Sequence, residues 1–300
     1  MSRAKSLQLR ANRQQSVMGW LFVSPFLAIL IIFTVIPAII ALVYSFTDMG
    51  VADVRHPLNV DFTFLDTFRK VLTNPGFLKS LATTGIYVVL GVPLTMGIGL
   101  GLAVALNSGI KHLRGTYRAA FYLPVITNIV AAAVIWQYAF TLKGPVNTFL
   151  QSVGVVGPNW LGDPNMALTS ILLLTIWRNV GTCMILFLAG LQSIPPDVYE
   201  AAAIDGASPW RRFLSITLPL LRPATLLVTV LMTVSFMNIF DEPYLVTKGG
   251  PVGSTRSVAL WVFEQFGHGN IAAAMAGSYV MLAIVVVLGI VQLRMLRSVR

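Results

Sequence analysis

The sequence has few charged residues, one cysteine and three histidines. Charged residues make up 11% of the chain, whereas soluble domains have roughly 25%. Cys183 lies in an apolar run, which excludes an intramolecular disulfide framework and any multi-cysteine metal site. The histidines are scattered along the chain and form no metal-ligand or catalytic constellation. We therefore predict neither a metal site nor catalytic residues.

Nucleotide binding by this chain is not predicted either. The phosphate loop G-x-x-x-x-G-K-[ST] does not occur in the sequence. Residues 249–255 combine glycines with Ser254 and Thr255, but their order differs and no lysine directly precedes the hydroxyl residues. The glycines and the proline of this segment are typical of turns.

Long apolar runs are the main feature that is present. Hydrophobic residues make up 56% of the chain and its mean hydropathy is +0.78, which predicts an integral membrane protein. A transmembrane helix needs about 20 predominantly apolar residues. The fold is predicted to be an all-α membrane protein with six transmembrane helices, of which the fifth is shortest. Their predicted ranges are 20–46, 81–106, 119–140, 167–191, 224–240 and 271–293.

The first apolar stretch follows a basic tail, residues 1–18, as a signal peptide would. Its apolar run is too long for a cleavable signal, Pro25 and Pro37 interrupt it, and no small-x-small cleavage site ends it. We interpret this stretch as an uncleaved first span. Residues 19–300 are then predicted to form a single transmembrane domain.

Basic residues concentrate on one side of the predicted membrane. They are abundant in the two terminal tails, the 107–118 loop and the 192–222 loop, whereas the opposite loops have mixed charge. Cytoplasmic loops of membrane proteins carry an excess of Lys and Arg. Both termini and the 192–222 loop are therefore predicted to be cytoplasmic. The net charge of +10 reflects topology, and nucleic acid is not predicted as a partner.

The 192–222 loop has the start and stop signals of short helices. Pro196 can open a helix, because a first-turn proline lacks an N–H that would be unpaired anyway. Asp197 follows where the helix dipole favours a carboxylate, and residues 201–203 are alanines, the best helix formers. Gly206 is placed to end the helix in a left-handed conformation.

A second short helix is predicted to begin at the N-cap Ser208, with Pro209 in its first turn. The loop as a whole shows the pattern E-A-A-x-x-x-G-x9-I-x-L-P, from Glu200 to Pro219. This pattern resembles the signature loop of permease subunits in binding-protein-dependent ABC importers, which docks into a cleft of the ATPase subunit. The alternative is an ordinary loop lying on the lipid headgroups. The resemblance implies the ATPase-coupling residues Glu200, Ala201, Ala202, Asp205, Gly206, Ala207 and Pro219.

Other segments resemble the sugar-importing members of this family. The resemblance implies a type I ABC importer transmembrane domain with a cytoplasmic coupling-helix loop. It points to the carbohydrate-uptake branch, which includes maltose, lactose and glycerol-phosphate systems. The chain would be a transport subunit and not an enzyme. The segments that carry this resemblance are 64–68, 188–195, 240–251 and 269–274.

The resemblance also implies the location and partners of the chain. It would be a multi-pass protein of the cytoplasmic (inner) membrane of a prokaryote. We expect no cofactor in this chain, since ATP and Mg would be bound by the ATPase subunits. The external segments 47–80, 141–166 and 243–270 would meet a solute-binding protein. The expected partners are an ABC ATPase dimer, a second homologous permease subunit, an extracytoplasmic solute-binding protein, a carbohydrate substrate and the lipid bilayer.

Polar residues within the predicted spans indicate a central pocket. An ionisable side chain inside a membrane costs on the order of 3 kcal/mol or more and is a functional hypothesis by default. Arg178 and Asn179 lie near the middle of the fourth span, and Ser235 and Asn238 lie at a similar depth in the fifth. The spacing of Ser235, Asn238, Asp241 and Glu242 predicts that they share one helical face. The predicted substrate-binding residues are Arg178, Asn179, Ser235, Asn238, Asp241 and Asn128.

The polar residues also have structural interpretations. Arg178 could instead pair with Asp241 or Glu242, and Ser and Asn side chains can bond neighbouring helices. The G-x-x-x-G motif at Gly97 and Gly101 predicts close helix packing, either within this chain or against the partner permease.

Two other function classes remain open from the sequence alone. An ion-gradient-driven secondary transporter subunit would need no ATPase partner, and such proteins often contain internal repeats, which we do not find here. A membrane-embedded scaffold or receptor subunit would bind partners but transport no solute.

Overall fold

The computed structural model describes residues 18–57, 59–109 and 113–297. Within these ranges the chain forms helices and loops, and its only β-contact is one antiparallel bridge between Thr47 and Phe62. The all-α prediction is confirmed. Nearly all of the predicted basic tail 1–18, and part of the basic 107–118 loop, lie outside the described residues.

Twelve helices are numbered in chain order, and the described residues also contain a 3-10 helix, Val51–Arg55, and the π-helices Ala105–Gly109 and Pro243–Thr247. The numbered helices are α1 (Met18–Tyr44), α2 (Asp66–Thr73), α3 (Pro75–Val104), α4 (Arg114–Ile126), α5 (Ile129–Ala139), α6 (Pro145–Ser152), α7 (Pro164–Gln192), α8 (Pro196–Ile204), α9 (Pro209–Leu220), α10 (Arg222–Met237), α11 (Val258–Gly267) and α12 (Ile271–Arg297). Helix α1 contains one π-helical turn just before Pro37.

Four of the predicted spans are continuous helices, and two are bent. Among the described residues, α1, α3, α7 and α12 are each long and apolar enough to cross a membrane. The predicted third span consists of α4 and α5, which meet at 93°, and the predicted fifth span is preceded by α9, which meets α10 at 68°. Counting each bent pair as one span gives up to six.

The break in the third span has a local cause. Pro124 lies near the end of α4, and Thr127 and Asn128 leave the helical conformation with ψ angles of 134° and 126°. The side chain of Asn128 then accepts hydrogen bonds from two N–H groups of α5. Asn is a strong N-cap because its side chain competes with the helical backbone for these groups. An apolar span with a Pro and an Asn at this spacing therefore divides into two helices.

Helix α7 lies at the centre of the molecule. It packs along α3 and contacts α4 and α10, and its buried side chains include Met184 and Phe187. Tyr87 of α3 and Phe236 of α10 are buried in the same cluster. Helix α1 lies at the periphery with exposed apolar side chains. The arrangement places Arg178 and Asn179 of α7 partly buried beside the C-terminal end of α10, where Ser235 is exposed.

Close packing between α3 and its neighbours occurs at glycines other than those of the G-x-x-x-G motif. A Cβ at Gly99 would lie 2.7 Å from Sγ of Cys183 and 3.1 Å from the backbone N of Met184. A Cβ at Gly97 or Gly101 would meet no atom of the described chain within 4 Å. Within the described chain the motif glycines therefore mediate no packing, because the close approach follows the face that meets α7; packing against a partner permease stays a prediction.

This difference gives a prediction with a matched control. Gly99→Val should lower the thermal stability of the detergent-purified protein, because overpacking costs about 1–3 kcal/mol. Gly97→Val makes the same change two residues away on an open face, and it should leave the unfolding temperature near that of the wild type. Thermal unfolding followed by tryptophan fluorescence provides the measurement. Equal unfolding temperatures for the two variants would contradict this packing.

The segment 243–257, predicted to be part of an external loop, is partly buried and is hydrogen-bonded to two membrane helices. The Gln137 amide of α5 donates to the carbonyls of Leu245 and Val246, both at 2.9 Å. The Tyr87 hydroxyl of α3 donates to the carbonyl of Thr255 at 3.1 Å, and Thr255 is fully buried. This segment therefore enters the bundle, because helices α3 and α5 supply the donors that its backbone needs.

Candidate functional site

A polar cavity of about 260 Å³ lies between the middle of α7 and the C-terminal end of α10. Arg178, the central residue of α7, lines it. Of the six predicted substrate-binding residues, only Asn128 is outside this lining. The predicted residues that the structure brings together here are Arg178, Asn179, Ser235, Asn238 and Asp241.

The charge of Arg178 is neutralised inside the cavity. Its Nη1 donates a hydrogen bond to Oε1 of Glu242 at 2.7 Å. Glu242 is 5% exposed and the Arg178 side chain is 25% exposed. Loss of one partner from such a pair leaves an uncompensated charge and costs about 3–5 kcal/mol. The ion pair therefore connects α7 to the segment after α10. Of the two acidic residues predicted as partners of Arg178, the structure shows Glu242.

Neutral side chains connect α7 and α10 beside this pair. Ser235 Oγ donates to Asn179 Oδ1 at 3.1 Å. Asn179 Nδ2 donates to the Thr175 carbonyl at 2.9 Å, and Asn238 Nδ2 donates to the Val234 carbonyl at 2.9 Å. Amide and hydroxyl groups keep further donor and acceptor capacity after one bond. This lining suits a ligand that is rich in hydroxyl groups.

Asp241 supplies the cavity with a carboxylate that is not paired within the described chain. The residue is exposed, and its side chain takes part in no ion pair or hydrogen bond of the described residues. Because Arg178 is paired with Glu242, the described lining carries one net negative charge. An ionised carboxylate only accepts hydrogen bonds. The cavity therefore favours a ligand that donates hydrogen bonds and carries no negative charge.

The prediction that the residues from Ser235 to Asp241 share one helical face was wrong. Helix α10 ends at Met237, and Asn238 has φ −93° and ψ 19°. The helix is interrupted at residues 238–240, and Phe240, Asp241 and Glu242 line the same cavity from the segment that follows α10. The residues are together, but helical periodicity is not the reason.

Asn128 does not line the cavity. Its Oδ1 accepts hydrogen bonds from the N–H groups of Val130 at 2.9 Å and Ala131 at 3.4 Å. The side chain thus caps α5, which explains a polar residue in this position without a ligand.

The lining also contains residues that were not predicted from the sequence: Val125, Thr175, Thr182, Ile239 and Phe240. Thr175 and Thr182 lie on α7 at helical spacing from Arg178 and Asn179, so the periodicity of α7 contained the signal. Phe240 is the aromatic residue of the described lining, and its ring stacks on Tyr244 with centroids 5.2 Å apart. No sequence pattern indicated Phe240, because it follows the end of α10.

No metal site accompanies this cavity in the part of the chain that the structure describes. There, no group of three His, Cys, Asp or Glu side chains is arranged to hold a metal ion. The expectation that ATP and Mg bind to partner subunits stays a prediction.

The 192–222 loop contains the two predicted helices, joined by a turn at Gly206. Gly206 has φ +73°. Its N–H donates to the Ala203 carbonyl at 3.1 Å, and the N–H of Ala207 donates to the Ala202 carbonyl at 2.9 Å. This pair of bonds is the Schellman motif, which satisfies the last carbonyls of a helix. Ser208 Oγ then accepts from the N–H of Arg211 at 3.3 Å and begins α9. The turn is therefore defined by hydrogen bonds on both sides.

One face of this loop is exposed and partly apolar. Ile204 is 87% exposed and Trp210 is 69% exposed, and Gly206 lies exposed between them in the chain. Among the residues implied in ATPase coupling, Glu200, Ala201 and Asp205 are exposed, Ala207 and Pro219 are half-buried, and Ala202 is buried. Exposed apolar side chains at a defined turn are typical of a docking surface.

Comparisons with known proteins agree with these features. Residues 97–300 match the family described as binding-protein-dependent transport system inner membrane component. The chain is 33% identical over 288 residues to the lactose transport system permease protein LacF of Rhizobium radiobacter, with 94% of each protein covered. It is 32% identical over 290 residues to the trehalose/maltose transport system permease protein MalF of Thermococcus litoralis, with 96% of this chain and 97% of that protein covered.

The fold also matches a solved structure. It superposes with a TM-score of 0.82 on a chain of a bacterial alginate ABC transporter in complex with an alginate pentasaccharide-bound periplasmic protein. The superposition covers 97% of this chain and 98% of that chain at 20% sequence identity. At this identity the similarity establishes the shared fold.

Proposed function

The chain belongs to the family of binding-protein-dependent transport system inner membrane components, and we propose that it is the permease subunit of an ATP-driven ABC importer for carbohydrates. The names of the lactose and trehalose/maltose relatives support the substrate class. The observation that carries the proposal is the polar cavity midway along α7, between two helices that are both joined directly to the 192–222 loop. Membership of this family favours ATP over an ion gradient as the energy source.

The proposed assembly has three kinds of partner. The exposed face of the 192–222 loop docks on an ABC ATPase dimer, and a second homologous permease subunit completes the membrane domain. A solute-binding protein delivers the substrate from outside, and the periplasmic protein bound to the alginate transporter supports this arrangement by analogy. With the excess of basic residues on the cytoplasmic side, both termini of this chain lie in the cytoplasm.

The proposed mechanism connects the loop to the cavity through helices α7 and α10. Closure of the ATPase dimer on ATP displaces the 192–222 loop, which is continuous with the ends of both helices. Relative motion of these helices changes the side from which the cavity is open. Ser235 and Asn179, whose side chains bond across the two helices, lie where this motion reaches the substrate.

The charge of the cavity narrows the proposed substrate class. Between two like charges ~5 Å apart at an effective dielectric constant of ~20, repulsion is about 3 kcal/mol. The unpaired carboxylate of Asp241 would therefore disfavour phosphorylated or acidic sugars by roughly 100-fold. Hydroxyl groups of a neutral sugar would instead donate to it. We propose a neutral carbohydrate as the substrate.

The transport function is tested with the assembled complex in proteoliposomes. We expect vanadate-sensitive uptake of neutral oligosaccharides that needs both the ATPase subunits and the binding protein, and little uptake of sugar phosphates or uronates. Uptake without the ATPase would contradict an ATP-driven importer. Uptake of acidic sugars at an equal rate would contradict only the assigned charge preference.

Asp241→Asn provides the corresponding site variant. A hydrogen bond to a charged group contributes about 1.5–3 kcal/mol, so uptake of the neutral sugar should fall at least about tenfold. The control is Asp66→Asn, which removes an exposed carboxylate that lies 3.8 Å from Lys70 on the surface and should leave uptake unchanged. Wild-type uptake by Asp241→Asn would remove this residue from the site.

A further inference from the structure

A second cavity, of about 380 Å³, lies behind the 192–222 loop. Val104 and Leu191, near the ends of α3 and α7, contribute apolar walls, and Tyr199, Arg212 and Thr217 contribute polar groups. Small-molecule sites commonly have volumes of about 300–1,000 Å³. The cavity is therefore large enough for a small polar group with part of an apolar chain.

Arg212 brings an uncompensated positive charge to this cavity. Its side chain is half-buried. Its guanidinium takes part in no ion pair or hydrogen bond with the described residues, and its Nε atom is covered and has no partner among them. The described lining includes no acidic side chain. Because the covered Nε–H lacks the hydrogen bond that a buried donor needs and the charge has no acidic neighbour in the lining, the lining matches an anionic ligand.

We propose that this cavity binds the phosphate headgroup of an anionic phospholipid. Val104 and Leu191 lie where two membrane-crossing helices end, so the cavity lies at the depth of the lipid headgroups. Basic pockets between membrane helices on the cytoplasmic side recognise such headgroups. The guanidinium of Arg212 pairs with the phosphate, and the apolar walls contact the glycerol and the upper acyl chain.

The position of the cavity favours a lipid over an acidic side chain of the ATPase. The exposed face of the 192–222 loop contains Ile204 and Trp210. Tyr199, by contrast, lines the cavity, and Ala202 of the same helix is 8% exposed. The walls formed by Val104 and Leu191 instead place the cavity at the ends of two membrane spans.

Lipid bound there would act on the loop itself. The Tyr199 hydroxyl and Thr217 Oγ1 lie 3.1 Å apart, and this hydrogen bond joins α8 to α9 beside the cavity. A headgroup between Arg212 and these hydroxyls ties the two loop helices to the ends of α3 and α7. The lipid is therefore expected to stabilise the orientation of the loop toward its docking partner.

The experiment measures lipid binding to the purified full-length chain in a neutral detergent, and it needs neither sugar nor ATPase. Native mass spectrometry follows titration with dioctanoyl phosphatidylglycerol, dioctanoyl phosphatidylcholine and inorganic phosphate. One cation near a headgroup contributes a preference of about fivefold to tenfold, so the wild type should bind the glycerol lipid that much more tightly than the choline lipid. Inorganic phosphate at the same concentration should bind far more weakly.

Variants separate this site from general surface charge. Arg212→Gln should abolish the preference, Arg212→Lys should keep part of it, and Arg211→Gln should keep all of it, because Arg211 is exposed and does not line the cavity. Equal binding of the two lipids by the wild type, or an unchanged preference in Arg212→Gln, would overturn the proposal. An equal loss in Arg211→Gln would assign the effect to surface charge, and phosphate binding as tight as that of the lipid would assign the site to a free anion. Each of these results rejects a lipid site.

Discussion

Replacing Gly206 by proline is expected to reduce ATP-coupled uptake to background while the protein still inserts into the membrane. The reason lies in the turn between α8 and α9. Gly206 has φ +73°, whereas proline is restricted to about −65°. Proline would also remove the N–H that donates to Ala203, and it disfavours the helical conformation of the preceding residue, Asp205.

The size of this effect follows from the local cost. The lost hydrogen bond and the incompatible backbone together cost about 2–4 kcal/mol, so the native turn would be depleted on the order of 30-fold to 1,000-fold. Few other contacts stabilise the turn, since Gly206 is exposed and a Cβ there would meet no atom within 4 Å. The membrane spans are not involved, so insertion should be normal.

A second glycine of the chain provides a closely matched control. Gly154 follows α6 with φ +81°, and its N–H donates to Gln151 while that of Val155 donates to Leu150. This is the same Schellman motif in the predicted external segment. Gly154→Pro should have the same local cost and retain uptake, measured in proteoliposomes at equal amounts of inserted protein. If Gly206→Pro transports like Gly154→Pro, the 192–222 loop does not couple ATP hydrolysis to transport.

Arg178→Gln is expected to reduce both the stability of the protein and its transport. The substitution leaves Glu242, which is 5% exposed, without the guanidinium that lies 2.7 Å from it. An unpaired buried carboxylate costs about 3–5 kcal/mol. We therefore expect a large decrease in the unfolding temperature and in the amount of protein in the membrane. The exposed pair of Lys70 and Asp66 is the control, because Lys70→Gln should cost under about 1 kcal/mol.

The double variant Arg178→Gln, Glu242→Gln separates structure from substrate contact. With both charges removed, no buried charge lacks a partner, so the unfolding temperature should return close to that of the wild type. Transport should remain at least about tenfold lower, because the cavity has lost its cationic donor. Full recovery of transport would mean that the pair serves only the fold. A wild-type unfolding temperature for Arg178→Gln alone would refute the stabilising contribution of the pair.

Local signals in the sequence predicted the 192–222 loop well. Each of these signals determines the backbone conformation only a few residues away. They are the Pro, Asp and Ala residues of α8, the N-cap Ser208 and the left-handed Gly206. Such preferences do not depend on distant contacts. The same local chemistry was present at Asn128, where the N-cap of α5 was not predicted because the segment was interpreted as one unbroken span.

The cavity was predictable only in part. Four polar residues were expected together because they lie at similar depths on two neighbouring spans. The structure places all four around one cavity: Arg178, Asn179, Ser235 and Asn238. The choice of Glu242 as the ion-pair partner depends on the end of α10 at Met237 and the path of the chain after it. Helical periodicity of the sequence does not contain this interruption.

The sequence by itself determined that this is a helical membrane protein with a structured polar loop, because hydrophobicity and helix caps are properties of neighbouring residues. Its motifs also indicated the family. Only the tertiary structure decided which glycines allow helices to approach, which acid neutralises Arg178, and that the segment 243–257 bonds to α3 and α5. These outcomes depend on which atoms meet across more than 50 residues of chain, and the free energy of such contacts is set by three-dimensional packing.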